Sequence, residues 1–281
     1  MKGLALFALL RPLQWLKNLM LLFPPFLGGT LTAGEVVVRG AVPLLAFCLI
    51  SSAQYVFNDL RDRETDALHP VKSKRPLTSG TVTVPEAMLL SAACLIGAVI
   101  LGWGVSLVFL KFMGLYLAIS TAYTLKFKEV PVADLFCIAG GFLVRLMAGG
   151  AVFGITVSAW LFLSVFFLSL FLSAGKRLSE QCRLGDVAGE HRKILSVYPQ
   201  GFLEGTLFIS GASVLVTYTM YVVAHQTLIA TVVVCCFGLL RYIRRVLSGQ
   251  CGDPTRSLVK DPSLFASGVI WVVLAWWGIY G

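Results

Sequence analysis

Charged residues are scarce in this chain, and their scarcity excludes an ordinary soluble domain. Asp, Glu, Lys and Arg make up 13% of the 281 residues, and 57% are hydrophobic. Apolar runs of membrane-spanning length recur throughout, and they are continuous, unlike the alternating segments of a β-barrel. The sequence therefore predicts an all-α, polytopic membrane bundle that forms a single domain over residues 1–281. Its nine transmembrane helices are expected at about 12–31, 37–58, 86–104, 107–125, 132–153, 157–175, 202–223, 227–245 and 263–280.

Paired cysteines and nucleotide-binding motifs are also missing. The seven cysteines are odd in number and contain no C-x-x-C pair, so neither a disulfide framework nor a zinc site is indicated. No Walker loop, G-x-S-x-G elbow or Rossmann fingerprint stands in a credible context. Arg11-Pro12 interrupts the first apolar run and no small-residue cleavage site follows, so we expect no cleavable signal peptide.

The net charge of +9 is concentrated in alternate connections between the apolar runs. Cytoplasmic loops collect Lys and Arg, which predicts a multi-pass protein of the cell inner membrane. Its N-terminus and active site would be cytoplasmic and its C-terminus external. The basic loops are either topology signals alone or an anion site as well. A nucleic-acid partner has little support, because no soluble basic domain is present.

The segment Asn58-Asp59-Leu60-Arg61-Asp62-Arg63-Glu64-Thr65-Asp66 directly follows an apolar run. Its three aspartates, at i, i+3 and i+7, would share one face of a helix and form an acidic ridge at the membrane surface. Mg²⁺ is commonly held by one or two carboxylates together with substrate phosphates. The ridge therefore predicts a Mg²⁺ site of Asp59, Asp62 and Asp66. The alternative is a solvated helix end that pairs with nearby cations such as Lys72 and Arg75.

Two ionisable residues, Asp134 and Arg145, lie within the fifth apolar run. They are eleven residues apart, which places them on the same side of a helix, roughly 16 Å apart along its axis. Ionisable residues within a membrane normally face a partner or a cavity. We therefore consider both a structural ion pair to another helix and an arginine that reaches a phosphate.

A further set of polar residues lies at the ends of the apolar runs or just inside them. Each alone is typical of an interfacial anchor. Together with the acidic ridge they predict electrostatic clamps around a Mg²⁺-bound diphosphate. The set consists of Lys17, Tyr123, Lys126, Lys176 and Arg177.

Several of these segments resemble those of a known family. The N-D-x-x-D-x-x-x-D pattern of Asn58 to Asp66, followed by the basic loop Lys72 to Gly80, resembles the UbiA-type superfamily of intramembrane prenyltransferases. Further segments are similar to its polyprenyl-phosphate phosphoribosyltransferase (decaprenyl-phosphate phosphoribosyltransferase-like) branch. They are Arg11-Pro12-x-Gln14-Trp15-x-Lys17-Asn18, His69-Pro70-x-Lys72, Tyr123-Thr124-x-Lys126, Ala174-Gly175-Lys176-Arg177 with Glu180, and His191-Arg192-x-x-Leu195-x-x-Tyr198.

The resemblance implies a UbiA-like fold and a pentosyltransferase reaction that makes a cell-wall precursor. The donor would be phosphoribosyl pyrophosphate and the acceptor a polyprenyl phosphate similar to decaprenyl phosphate. Asp59, Asp62 and Asp66 would hold Mg²⁺ on the diphosphate. The substrate-binding residues would be Lys17, Asn58, Lys72, Arg75, Tyr123, Lys126, Asp134, Arg145, Lys176 and Arg177.

Two alternatives and one open question remain at this point. A prenyl diphosphate could be the donor and an aromatic quinone precursor the acceptor; the segment Asp186 to Glu190 favours this reaction as a degenerate second acidic motif. A membrane transporter is the other alternative, supported by Asp134 and Arg145 but opposed by the one-sided polar loops. A homo-oligomer is possible, and the sequence does not decide the oligomeric state.

Overall fold

The structure is a computed structural model, and it describes residues 2–31, 34, 36–68, 72–184, 193–224, 229–250 and 252–281. Every regular element in these ranges is a helix, which confirms the predicted all-α class. The expectations that rest on His69, Pro70, Asp186 to Glu190, His191 and Arg192 lie outside the described residues. In chain order the α-helices are α1 (Lys2–Leu9), α2 (Phe23–Leu27), α3 (Ala41–Arg61), α4 (Arg63–Ala67), α5 (Val84–Val105), α6 (Leu107–Leu125), α7 (Ala133–Phe153), α8 (Ala159–Leu184), α9 (Lys193–Val197), α10 (Phe202–Val223), α11 (Ala230–Leu247), α12 (Pro254–Lys260) and α13 (Pro262–Tyr280).

Eight helical segments of the described chain are long and apolar enough to cross a membrane. The expected nine is therefore an approximate count. The remaining candidate, α11, carries Arg244 and Arg245 in its last turn and Arg241 one turn earlier, and these charges lower its mean hydropathy. The eight segments are Lys2–Leu27, Val38–Arg61, Val84–Val105, Leu107–Leu125, Ala133–Phe153, Ala159–Arg183, Phe202–Val223 and Pro262–Tyr280.

The helices group into two compact units. The first consists of Met1–Pro25, Leu31–Phe127 and Val144–Ile155, and the second of Phe26–Thr30, Lys128–Leu143 and Thr156–Gly281. The division falls inside α7, so the first part of that helix belongs to the second unit. The single domain predicted from the sequence stays a prediction.

In the first unit, α3 packs on α5 and α6 around an aromatic core. Phe47 of α3 meets Phe109 and Tyr116 of α6, with ring centroids 5.5 Å and 5.7 Å away. Gly149 of α7 allows a close approach, because a Cβ atom there would lie 2.1 Å from the carbonyl oxygen of Leu21. Small residues permit such backbone contacts between membrane helices. This core packs the N-terminal half of α3 against α6.

In the second unit, α8 packs along α10, and α11 packs on α13. Their buried residues form one apolar cluster that includes Phe171, Leu207 and Tyr242. Gly175 of α8 lies against the Tyr242 ring, where a Cβ atom would be 2.6 Å from Cε1. Asp261 precedes helix α13, and its side chain accepts hydrogen bonds from the N–H groups of Ser263 and Leu264. That arrangement is a typical N-terminal cap.

Candidate active site

The acidic segment does not form one continuous helix. Helix α3 ends at Arg61, Asp62 has φ −93° and ψ 6°, and α4 begins at Arg63. The ridge expected from the sequence is therefore interrupted at its middle aspartate. Asp59 and Asp66 are buried, each 2% exposed, and Asp62 is half-buried. On either side of this break, the two buried carboxylates both contact Arg75 of the basic loop.

Three cations surround the two buried carboxylates in the first unit. Arg75 Nη1 lies 2.9 Å from Asp59 Oδ1 and also contacts Asp66 Oδ2. Lys72 Nζ lies 3.5 Å from Asp66 Oδ1, and Arg11 Nη2 contacts Asp59 Oδ1. We call these five residues the charged cluster. Its carboxylates converge on a single cationic nitrogen, and its cations carry one more charge than its carboxylates.

The charged cluster suits a hard divalent cation with phosphate ligands. Two carboxylates that already share one positive nitrogen supply the oxygen donors that Mg²⁺ prefers, and phosphates complete such sites. Among the described residues, no group of three or more His, Cys, Asp and Glu could hold a metal by itself. Asp59 and Asp66 would therefore need a phosphate to complete the coordination. The assignment of Asp59, Asp62 and Asp66 as metal ligands stays a prediction.

Asn58 and the end of α6 border this cluster. Asn58 Nδ2 donates to Asp62 Oδ2 over 3.1 Å, and Thr124 Oγ1 donates to Asn58 Oδ1 over 3.4 Å. Tyr123 is half-buried next to Thr124, and Lys126 is exposed at the C-terminus of α6. Lys17 is half-buried in the 3₁₀ segment Pro12–Leu22. Contact of Asn58, Tyr123, Lys126 or Lys17 with a substrate stays a prediction.

Arg145 belongs to a different cluster in the first unit. It is 4% exposed, and its Nε donates to Asn18 Oδ1 over 2.7 Å. Its guanidinium also lies 4.4 Å from the ring centroid of Tyr116, a cation–π contact. Asn18 in turn donates to Ser51 Oγ over 3.3 Å. Asn18 and Tyr116 hold the Arg145 side chain in place, and its predicted role as a phosphate ligand remains a prediction.

Asp134 and Arg177 meet in the second unit. Arg177 is 2% exposed, and its Nε donates to Asp134 Oδ2 over 2.9 Å. The Tyr198 hydroxyl donates to Asp134 Oδ1 over 2.5 Å and accepts a hydrogen bond of 2.9 Å from the Val132 N–H. Burial and the hydrogen bond to Asp134 raise the pKa of Tyr198. We call Asp134, Arg177 and Tyr198 the enclosed network. The substrate contacts expected of Asp134 and Arg177 stay predictions.

Lys176, next to Arg177, pairs with a residue far along the chain. Its Nζ lies 3.1 Å from Asp253 Oδ2. Gly252 places Asp253 there, because its N–H donates to Ser179 Oγ over 2.7 Å and a Cβ atom would lie 2.6 Å from Ser179 Cβ. The connection before α12 is thus docked directly on α8. Lys176 is half-buried, and its substrate contact stays a prediction.

Sequence reasoning did not assign roles to Arg11 and Tyr198, which complete the charged cluster and the enclosed network. Both contacts join distant parts of the chain, 48 residues apart for Arg11 and Asp59 and 64 for Tyr198 and Asp134. Both residues nevertheless stand in segments that carry the family resemblance. Their place in those segments was the only sequence feature that pointed to a role for Arg11 and Tyr198.

Comparisons with known proteins agree with this architecture. The model of the UbiA prenyltransferase family matches residues 21–269. The chain is 31% identical to decaprenyl-phosphate phosphoribosyltransferase of Mycolicibacterium smegmatis over 93% of this chain and 88% of that protein. It is also 40% identical to 4-hydroxybenzoate octaprenyltransferase of Methylobacillus flagellatus, over 41% of this chain and 39% of that protein.

The fold resembles a solved structure over its whole length. A UbiA homologue from Archaeoglobus fulgidus, bound to DMAPP and Mg²⁺, superposes with a TM-score of 0.72 at 22% identity. The superposition covers 98% of both chains. The match of the family model over most of the sequence and the long match to a curated relative agree with the eight apolar helices. This multi-pass membrane protein belongs to the UbiA prenyltransferase family.

Proposed function

We propose that this protein transfers the 5-phosphoribosyl group from phosphoribosyl pyrophosphate to a polyprenyl phosphate and releases pyrophosphate, with Mg²⁺ as cofactor. One observation carries the proposal: buried Asp59 and Asp66 converge on Arg75 while Arg11 and Lys72 stand beside them. Carboxylates for a metal and cations in excess are what a diphosphate needs. Similarity over 93% of the chain to a decaprenyl-phosphate phosphoribosyltransferase supports the choice of donor and acceptor.

In this proposal Asp59 and Asp66, with Asp62 beside them, hold Mg²⁺ against the donor diphosphate. When bound, the metal would neutralise charge on the pyrophosphate leaving group. Arg75 and Lys72 would bind phosphate oxygens. Their side chains are 26% and 33% exposed, so each can move from a carboxylate to a phosphate with little loss of packing. Arg11 contacts the same oxygen of Asp59 as Arg75 does, and it would help to orient that carboxylate.

The bond between the anomeric carbon and the pyrophosphate oxygen breaks, and pyrophosphate leaves with the bonding electrons. An oxygen of the lipid phosphate then forms the new bond to the anomeric carbon. A phosphate monoester is largely ionised near neutral pH, because its second pKa is about 6. The reaction therefore needs no strong general base. This chemistry agrees with a cluster of carboxylates, arginines and lysine.

The membrane supplies the second substrate in this proposal. The polyprenyl tail would remain in the bilayer among the apolar helices, with its phosphate at the level of the charged cluster. We propose that this level is the cytoplasmic face of the cell inner membrane, with the N-terminus cytoplasmic and the C-terminus external. The positive charge of the connecting loops supports that orientation. No nucleic acid is involved, and a homo-oligomer remains compatible with the proposal.

The experiment uses purified protein, phosphoribosyl pyrophosphate labelled in the ribose, and polyprenyl phosphate. We expect a labelled lipid on thin-layer chromatography and release of pyrophosphate, both dependent on Mg²⁺ and on the lipid acceptor. The variant with Asp62→Ala and Asp66→Ala together should be inactive. Glu64→Gln, an exposed acid on α4, is the matched control. Activity that survives the double substitution would contradict the proposal.

A second function is favoured by a specific observation. The partial similarity to a 4-hydroxybenzoate octaprenyltransferase supports prenyl transfer from a polyprenyl diphosphate to an aromatic acceptor. The same charged cluster could bind that diphosphate with Mg²⁺. Incubation of the same preparation with each donor–acceptor pair separates the two reactions. A prenylated aromatic product without any labelled ribosyl lipid would establish the second function.

A further inference from the structure

Gln54 of α3 carries a buried acceptor that the described residues leave without a hydrogen bond. Its side chain is 7% exposed, and its Nε2 donates to Thr121 Oγ1 over 3.0 Å. Its Oε1 is buried, and it has no hydrogen-bond partner within the described part of the chain. A buried carbonyl oxygen within a membrane span is costly when it accepts nothing. The arrangement indicates that a donor from outside the chain completes the site.

The position of Gln54 relates this acceptor to the charged cluster. Gln54 and Asn58 are four residues apart on one face of α3, about 6 Å along the axis. Thr121 and Thr124 are three residues apart on α6, and Gln54–Thr121 and Asn58–Thr124 form two polar links between the helices. Asn58 directly precedes Asp59 and bonds Asp62. Gln54 therefore lies about one helical turn further into the span than Asn58, the residue that precedes Asp59.

We propose that Gln54 and Thr121 form a subsite for a hydroxyl group of the donor pentose, and this inference rests on the proposed function. With its phosphates on the charged cluster, the donor places its sugar ring one turn deeper, within reach of Gln54 Oε1. A ribose hydroxyl donates the missing hydrogen bond. A prenyl chain presents only C–H groups at that depth and leaves the oxygen unpaired. Gln54 is thus a specificity-determining residue that favours a hydroxylated donor over an isoprenoid one.

The test compares donors that differ by one hydroxyl. Wild-type protein and Gln54→Leu are each assayed with phosphoribosyl pyrophosphate and with its 2-deoxy and 3-deoxy analogues. We expect wild-type kcat/KM to fall about tenfold for the analogue that lacks the bonded hydroxyl, the effect of one hydrogen bond to a buried group. Gln54→Leu should lose about tenfold with the full donor and little with that analogue. For Gln54→Leu, the ratio of kcat/KM with the full donor to kcat/KM with that analogue then approaches one.

A matched control separates recognition of the sugar from packing of α3. Ser91 Oγ of α5 donates to the carbonyl oxygen of Ala53, the residue before Gln54, over 3.2 Å. Ser91→Ala removes a hydrogen bond at the same depth and leaves the Gln54 side chain unchanged. The ratio of kcat/KM between the full donor and the deoxy analogue should therefore stay at its wild-type value. Gln54→Met replaces Gln54→Leu if the leucine variant unfolds, because methionine keeps the length of the side chain without its oxygen.

The outcomes distinguish this inference from the proposed function. Equal wild-type kcat/KM for all three donors overturns the subsite without any variant. The subsite is also overturned if Gln54→Leu keeps the wild-type ratio of kcat/KM between the full donor and the analogue. Gln54 would then serve only to join α3 and α6. In both cases ribosyl transfer itself still stands. Wild-type protein that makes no ribosyl lipid but does transfer a prenyl group overturns the proposed function and the subsite together.

Discussion

The charged cluster and the enclosed network both contain an arginine–aspartate ion pair, but their cations differ in access to solvent. The side chains of Arg75 and Lys72 are 26% and 33% exposed, whereas that of Arg177 is 2% exposed. Exposed cations can exchange a carboxylate partner for a phosphate at small cost. An enclosed arginine loses its partner only if the surrounding helices open. We therefore propose that the ion pairs of the charged cluster serve ligand exchange and that the ion pair of the enclosed network serves stability.

The largest effect that tests this comparison is expected at Arg177. Arg177→Met leaves the buried carboxyl group of Asp134 without its charged partner, which should lower the free energy of unfolding by about 3–5 kcal/mol. Lys72→Met should change it by less than about 1 kcal/mol, because the Lys72–Asp66 pair is partly hydrated. Denaturant unfolding in detergent measures both values.

The double variant Asp134→Leu/Arg177→Met removes both charges and should recover most of the stability that Arg177→Met loses. If Arg177→Met were as stable as wild type and merely inactive, the enclosed network would be part of the substrate site. The comparison between the two clusters would then fail.

The next effect concerns activity in the charged cluster. Asp59→Asn removes the carboxylate that Arg11 and Arg75 share, and we expect kcat/KM to fall at least about 100-fold, as for loss of one preorganised electrostatic group. Thermal unfolding should move little, because both arginines are partly hydrated. Steady-state assays and a detergent unfolding curve on one preparation measure the two quantities. Near-wild-type turnover in Asp59→Asn would remove the cluster from the reaction.

A smaller effect tests whether the second unit can adjust its packing. Gly175→Ala places a methyl group against the Tyr242 ring, and we expect a loss of about 1–3 kcal/mol from overpacking. Gly205→Ala on α10 is the control, since its Cβ atom meets nothing within 4 Å. Alanine there should be neutral or stabilising by up to about 1 kcal/mol. Equal stability of the two variants would show that the second unit is not rigid around α8.

The smallest effect is a pH dependence at Asp261. Burial acts to raise the pKa of Asp261, but hydrogen bonds from Arg241, the Leu264 N–H and Arg245 outweigh it and lower that pKa. A carboxyl whose folded pKa lies below its unfolded value, about 3.9, stabilises the protein above the unfolded pKa. The stabilisation is lost as pH falls through the folded pKa. Unfolding curves of wild type and Asp261→Asn should therefore converge in acid, and a constant difference would contradict the assignment.

The transmembrane helices were predictable from sequence because length and hydropathy decide them locally. Seven of the eight membrane-spanning segments fall close to their expected positions, and the first, Lys2–Leu27, begins before the expected start at about residue 12. The expected transmembrane helix at about 227–245 corresponds to α11. Within the described residues, it is the one expected span that does not meet the hydropathy of the other eight, because three arginines in the last turns of α11 reduce its apolar character. Local composition therefore described the fold class well and the count of spans only approximately.

The candidate site was predictable in composition but not in arrangement. The spacing of Asp59, Asp62 and Asp66 indicated a shared face, but it did not indicate the helix break at Asp62. Arg75 lies within the same segment and was expected near the acids. Arg11 reaches Asp59 across 48 residues, and no periodicity in the sequence encodes such a contact. The unpaired oxygen of Gln54 is likewise visible only in three dimensions.

Arg11 has a left-handed backbone conformation, with φ 52° and ψ 60°, which glycine adopts more easily than arginine. The backbone conformation at this position therefore favours glycine, whereas the contact with the Asp59 carboxylate requires arginine. Arg11→Gly would relieve the backbone strain, and it would also remove one of the two arginines that contact Asp59. A search for stabilising substitutions would select glycine here. We expect that substitution to lower the rate of the proposed reaction, because the contact between Arg11 and Asp59 would be lost. Improvement of thermal tolerance in this enzyme must leave residue 11 untouched.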